Sequence, residues 1–221
     1  MTPFVLVAAI GFAFVGAAGE RLASVWPADE ASRRPPGPRT LLLAITAGAA
    51  GGALAWRSSL PLWATAAHLL ILALLVVLTA TDLEQRRLPH LLLDPLIAAA
   101  LLFVMFNPTV TPLAALIGAA AAVGFLGVLG LIIRGGVALG DLYLVAPLGL
   151  LLGWPAVFQA VFVAAILSAV TAIALLVMRR VGMKSYIPFG PFLVAGAVIT
   201  LLRDPELLGQ LAVAAAPLLP R

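Results

Sequence analysis

Residues 113–133 read Leu-Ala-Ala-Leu-Ile-Gly-Ala-Ala-Ala-Ala-Val-Gly-Phe-Leu-Gly-Val-Leu-Gly-Leu-Ile-Ile, without a single charged side chain. At 1.5 Å per residue a helix of this length runs roughly 31 Å, the thickness of the hydrocarbon core of a bilayer. Lipid offers no hydrogen bonds, so a spanning segment must satisfy its own peptide groups, as helices and closed barrels do. Barrel strands alternate apolar and polar positions. This stretch is continuously apolar, and so are residues 69–78. The expected fold is therefore all-α.

The composition extends that reading to the whole chain. It is 63% hydrophobic and 10% charged, with a mean hydropathy of +1.17. A soluble domain would carry about a quarter charged residues. The apolar runs fall near 3–19, 41–56, 61–80, 91–106, 112–133, 141–153, 155–178 and 188–202. They predict about eight transmembrane helices in one polytopic bundle formed by residues 1–221. Residues 20–40, rich in Pro, Arg and Gly, are too few to build a core of their own and read as a linker. Met1–Gly19 has no basic residue ahead of its apolar stretch and reads as a retained span, not a signal peptide. No internal repeat is visible.

The chain has no cysteine, which excludes disulfides, thiolate metal sites and cysteine nucleophiles. Its net charge of +4 does not point to nucleic acid, because the cations sit in short loops beside apolar runs. Arg21, Arg33, Arg34, Arg39, Arg86, Arg87, Arg134, Arg179, Arg180 and Lys184 fall in odd-numbered loops, against Arg57, Arg203 and Arg221 elsewhere. The positive-inside rule then makes the odd loops cytoplasmic and both termini extracytoplasmic. Trp26, Trp56, Trp63 and Trp154 lie near span ends, as interfacial anchors do.

Two acids stand out on this background. Asp82 ends the third apolar run and Asp141 opens the sixth, and the charge bias puts both on the cytoplasmic side. Carboxylates within a membrane segment are costly and mark functional sites. A pair sharing one proton activates water: the ionised member takes a proton from the attacking water while the other hydrogen-bonds to the carbonyl. The sixth span, about a dozen residues or roughly 18 Å, is short for a bilayer, which predicts that Asp141 lies in a water-accessible recess. Gly140 could permit a positive φ and close backbone approach. Pro89 should bar continuation of the third helix.

The plainer readings are specific too. Asp82 could pair with Arg86 at i+4 as a helix-end anchor. Glu84 reads as solvated, with attraction of a basic peptide as the minor option, and Asp94-Pro95 as a cap on the fourth helix. His68, the one titratable group deep in a span, reads as a helix–helix hydrogen-bonding residue. Gly48, Gly51, Gly52, Gly118, Gly124 and Gly127 read as helix-packing positions.

The residues around the two acids carry a resemblance. Asp82-Leu83-Glu84-Gln85-Arg86-Arg87-Leu88-Pro89-His90 resembles the Asp-x5-Ile-Pro-Asn segment of type IV prepilin peptidases, membrane aspartic peptidases of the GxGD type. Ala138-Leu139-Gly140-Asp141-Leu142-Tyr143-Leu144 is similar to their Gly-x-Gly-Asp-x-Lys-Leu motif. Pro188-Phe189-Gly190-Pro191-Phe192-Leu193 is similar to the segment that opens their last span. The order and spacing match from about residue 60 to 202.

The resemblance implies an aspartic endopeptidase of the inner (cytoplasmic) membrane. It would cleave the basic leader from type IV prepilin-like or pseudopilin precursors, with Asp82 and Asp141 catalytic and no metal or organic cofactor. Gly140, Pro89, Pro188, Phe189, Gly190 and Pro191 would support the site or contact substrate, and membrane lipid would be the other partner. Five positions depart from the pattern, one of them Val25, which stands where an arginine is expected. Ala138 replaces a glycine, Tyr143 a lysine and His90 an asparagine, and Glu20 stands where an asparagine is expected. The cysteine-bearing insert of full-length members is replaced by residues 20–40, which argues against N-methyltransferase activity. The alternatives are a preflagellin-type peptidase, a catalytically dead relative, or a non-enzymatic transporter or scaffold.

Overall fold

The computed structural model describes residues 3–26, 32–133, 137–179, 182 and 187–203. They form eight helices: α1 (Pro3–Val25), α2 (Pro38–Arg57), α3 (Leu62–Gln85), α4 (His90–Val104), α5 (Pro112–Ile132), α6 (Leu139–Leu152), α7 (Ala156–Val177) and α8 (Gly190–Leu202). No strand occurs among the described residues. Helices α1, α2, α3, α5 and α7 are long and apolar enough to cross a membrane, while α4, α6 and α8 are shorter. The chain is a multi-pass helical membrane protein. Arg134, Gly135, Gly136, Arg180, Lys184 and Arg221 lie outside the described residues.

Local chemistry sets the helix ends. Thr111 caps α5, its hydroxyl accepting from the Ala114 amide at 3.3 Å, with Pro112 in the first turn. Helix α3 stops because Arg86 adopts the left-handed conformation (φ 56°), its amide bonding the Asp82 carbonyl at 2.8 Å. Pro89 lies beyond that stop. Instead of ending α3 it opens α4, its carbonyl accepting from the Leu92 and Leu93 amides. Helix α4 therefore begins at His90, and Asp94 is not its cap. Asp94 is exposed, 3.5 Å from His90 one turn earlier.

Helix α6 runs through the middle of the bundle, packed by α4, α5 and α8. Leu144, Val145, Leu148 and Leu151 are buried in the main core with Leu78, Leu93, Leu126 and Leu193. A helix enclosed by other helices need not match the lipid thickness, which accounts for its short length. Gly153 closes it at φ 69°, where a side chain would also strike Val110.

Small residues let the backbones meet, though not at every expected position. Gly48 and Gly52 approach Ala9 and Ala13 on α1, and Gly51 lies against Phe12. Gly118 meets the backbone at Gly149 and Gly153, but Gly124 and Gly127 face open space. A Cβ on Gly149 would lie 2.5 Å from Ala119 Cα and 2.7 Å from its nitrogen, atoms that cannot swing aside. Gly149→Ala should therefore cost roughly 1–3 kcal/mol of stability, seen as earlier thermal unfolding in detergent. An unchanged midpoint would mean that α5 and α6 separate freely.

His68 bonds within its own helix. Its Nδ1 is 2.8 Å from the Ala64 carbonyl, and its ring meets Phe103 edge-on with centroids 4.8 Å apart. The expectation of a helix–helix hydrogen bond is corrected to an intrahelical bond plus ring packing between α3 and α4.

Candidate active site

Asp82 sits in the last turn of α3 and Asp141 in the first turn of α6, at 4% and 3% exposure. Helices α3 and α6, which carry them, both pack against α8. A turn of helix carries Leu144 onto the Asp141 face, and α8 closes the third side. A Cβ built on Gly190 would lie 2.5 Å from Asp82 Oδ2 and 3.5 Å from Leu144 Cδ2. Three helices therefore converge on Asp82. Its Oδ2 is buried with no hydrogen-bond partner among the described residues. Arg86, one turn on, is taken up as the helix stop.

Asp141 is held differently. Its Oδ2 accepts the Ala138 amide at 3.2 Å, while its own amide bonds the Ala138 carbonyl at 3.0 Å. This is the reach-back half of a capping box, made by the third residue of the helix. Ala138 has φ −80° and ψ 151°, extended backbone open to any residue, so alanine fits where the family pattern has glycine.

The expected supporting residues divide by contact. Gly190 is buried against Asp82, with Phe189 as the α8 N-cap and Pro191 in its first turn. Pro188 is half-buried just ahead of them. Gly140 has no positive φ, and its nearest neighbour is a side chain: a Cβ there would lie 3.2 Å from Leu88 Cδ1. It seats the α3–α4 turn against α6. The expected backbone freedom is corrected to packing.

Glu84 is not solvated. Its side chain is 6% exposed, and its Oε2 accepts from Arg34 Nη2 at 2.8 Å and Arg39 Nη1 at 3.4 Å. Ser32 donates to Oε1 at 2.5 Å. The same Arg34 nitrogen lies 2.7 Å from Glu20 Oε1, while Thr40 donates to Glu20 Oε2 at 2.7 Å. The Glu20 hydrogen bond and the nearby Glu84 charge raise the already high pKa of Arg34, keeping it cationic. Gln85 Nε2 donates to the Ala23 and Trp26 carbonyls at 2.7 and 2.8 Å. Sequence reasoning missed this network. Its signal was there in two more acids near span ends, each needing a cation if buried.

Two departures from the family pattern touch each other. The His90 and Tyr143 rings meet edge-on with centroids 5.1 Å apart, both substantially exposed beside the acids. A cavity of about 380 Å³ lies near the other end of α3, lined by Thr65, His68, Trp154 and Arg203, and reaches neither aspartate.

Fold and site together define a polytopic membrane protein with a buried carboxylate pair at one end of its bundle. Residues 69–173, which include both aspartates, match the model of the type IV leader peptidase family. Prepilin leader peptidase/N-methyltransferases are similar in sequence. The Burkholderia pseudomallei (strain 1026b) protein is 38% identical over 175 residues, 76% of this chain and 56% of the relative. The Aeromonas salmonicida (strain A449) protein is 36% identical over 149 residues, 64% and 50% respectively. The Bacillus subtilis (strain 168) protein is 29% identical over 209 residues, 91% and 77%. Over residues 69–173 the chain thus matches the type IV leader peptidase family, and it spans about half the length of the first two relatives. No solved structure matches it.

Proposed function

We propose that this protein is an aspartic endopeptidase that removes the leader from type IV prepilin-like or pseudopilin precursors. The observation that carries this reading is the burial of Asp82 on α3 and Asp141 on α6, both inside the family-matched segment and both on helices that pack against α8. Helix polarity divides their roles. Asp141 lies at a helix N-terminus, where peptide dipoles and the Ala138 amide stabilise an anion. Asp82 is mounted at the C-terminus of α3, whose dipole disfavours an anion, while the first turn of α8 at Gly190 approaches its carboxylate, so the dipoles on Asp82 oppose one another and those on Asp141 do not. Asp141 is the base and Asp82 holds the shared proton.

Water then attacks the scissile carbonyl carbon as Asp141 takes its proton, while Asp82 donates a hydrogen bond to the carbonyl oxygen. The tetrahedral intermediate collapses with cleavage of the C–N bond, and the leaving amine takes the proton that Asp141 removed from water, which restores the ionised base. The partnerless Asp82 Oδ2 supports this role, since it has bonding capacity left for substrate. The bias of basic loops supports cleavage at the cytoplasmic face of the inner membrane, with both termini on the far side and lipid around the bundle.

Residues 1–221 would act as one peptidase domain. The first loop, occupied with Glu20 and Glu84, supports peptidase without N-methyltransferase activity. The test is cleavage of purified prepilin-like precursors by the full chain in lipid, with methyl transfer from S-adenosylmethionine followed in parallel. Shortening of the precursor without methylation of the new terminus is expected. Failure to cut any prepilin, pseudopilin or preflagellin precursor would overturn the peptidase reading.

A further inference from the structure

The end of α3 that carries Asp82 is held from its opposite face. Successive helical residues turn by 100°, so Glu84 points roughly 200° away from Asp82. Asp82 faces α6 and α8, and Glu84 faces α1 and the first loop. The last turn of a helix is where fraying begins, and α3 has only a left-handed Arg86 beyond it. Glu84 in that turn, and Asp82 whenever it ionises, are further disfavoured by the helix dipole.

Arg34 counters this from outside. One guanidinium nitrogen, Nη2, reaches Glu20 on α1 at 2.7 Å and Glu84 on α3 at 2.8 Å. Every carboxylate oxygen of the two acids has a partner: Arg34 and Thr40 on Glu20, Ser32, Arg34 and Arg39 on Glu84. Arg34 is itself anchored, because Arg21 donates to its carbonyl at 2.6 Å and the Arg33 amide bonds the Ser24 carbonyl at 2.8 Å. Gln85 adds two bonds to the end of α1. Buried acids without such a partner would be strongly unfavourable.

We propose that Arg34 is a positioning residue that clamps the last turn of α3 to α1 and so sets where the Asp82 carboxylate stands against Asp141. It touches no substrate. It acts by removing the freedom of the turn on which one acid is mounted, and a displacement of about 1 Å at a reacting group costs roughly 100-fold in rate. The inference rests on the peptidase reading for its effect on rate, but the clamp itself can be measured without turnover.

The chain has no cysteine, so Leu83→Cys and Leu139→Cys give two clean spin-label sites on exposed positions beside the two acids. Distances between the labels would be measured by pulsed electron resonance in lipid, with Arg34 intact and with Arg34→Met. Because Arg34→Met takes the closest cation from two buried acids and leaves them Thr40, Ser32 and the more distant Arg21 and Arg39, the triple variant Arg34→Met/Glu20→Gln/Glu84→Gln is measured beside it. It removes the clamp without leaving buried charge. Both variants should broaden the distance distribution. On a cleavable precursor both should lower kcat about tenfold or more with KM within about twofold.

A distribution as narrow as wild type in the triple variant would overturn the proposal. So would a raised KM with unchanged kcat, which would make the acids a contact for the basic leader. If wild type cuts no precursor, the peptidase reading fails and the distance measurement still decides the clamp.

Discussion

Asp82→Asn and Asp141→Asn will each lower precursor cleavage by about 10²–10⁴-fold, the range that a positioned acid or base contributes. Both substitutions keep side-chain shape and remove one ionisable oxygen. Neither should unfold the protein. Both carboxylates are buried, and a neutral amide of the same shape costs less to bury than an ionisable acid. The expected result is a stable and inactive protein, with a thermal midpoint at or above that of wild type. The double variant should be little worse than either single one, because the pair works as a unit. Cleavage surviving in either single variant would show that the acids are misassigned.

The second large effect is expected from Gly190→Ala. The added Cβ would sit 2.5 Å from Asp82 Oδ2, and what must yield is the end of a side chain. Rotating the carboxylate away costs little folding free energy but moves the group the chemistry depends on. Cleavage should fall roughly 100-fold while the thermal midpoint stays near wild type. Gly149→Ala is the contrasting control. There the obstructing atoms are the Ala119 backbone, and the loss should appear in stability. Equal stability losses in the two variants would mean that Gly190 serves packing alone.

The departures from the family pattern look different in three dimensions. Ala138 stands in extended backbone that needs no glycine, and it still supplies the amide that holds Asp141. Tyr143 and His90 stand where the pattern has lysine and asparagine, and they meet each other edge-on. Such a contact contributes about 0.5–1.5 kcal/mol when fully formed, and less at this exposure. Neither fact was available from positions taken one at a time.

What the sequence determined by itself was whatever depends on runs and local chemistry. Uncharged stretches the length of a bilayer define helices, since lipid leaves the peptide group no other partner. The expected spans match the eight helices to within a few residues at most ends. The cost of acids in apolar runs singles out Asp82 and Asp141 from the chain's own pattern. Only the tertiary structure decided which residues surround them. Gly190 is far from Asp82 along the chain yet packs against its carboxylate, and Arg34 reaches Glu84 across 50 residues. Glu84 read as solvated because burial depends on what the first loop does after α1, and no local pattern encodes that. Periodicity reports how a segment meets its solvent, whereas a clamp is made by segments that meet only after folding.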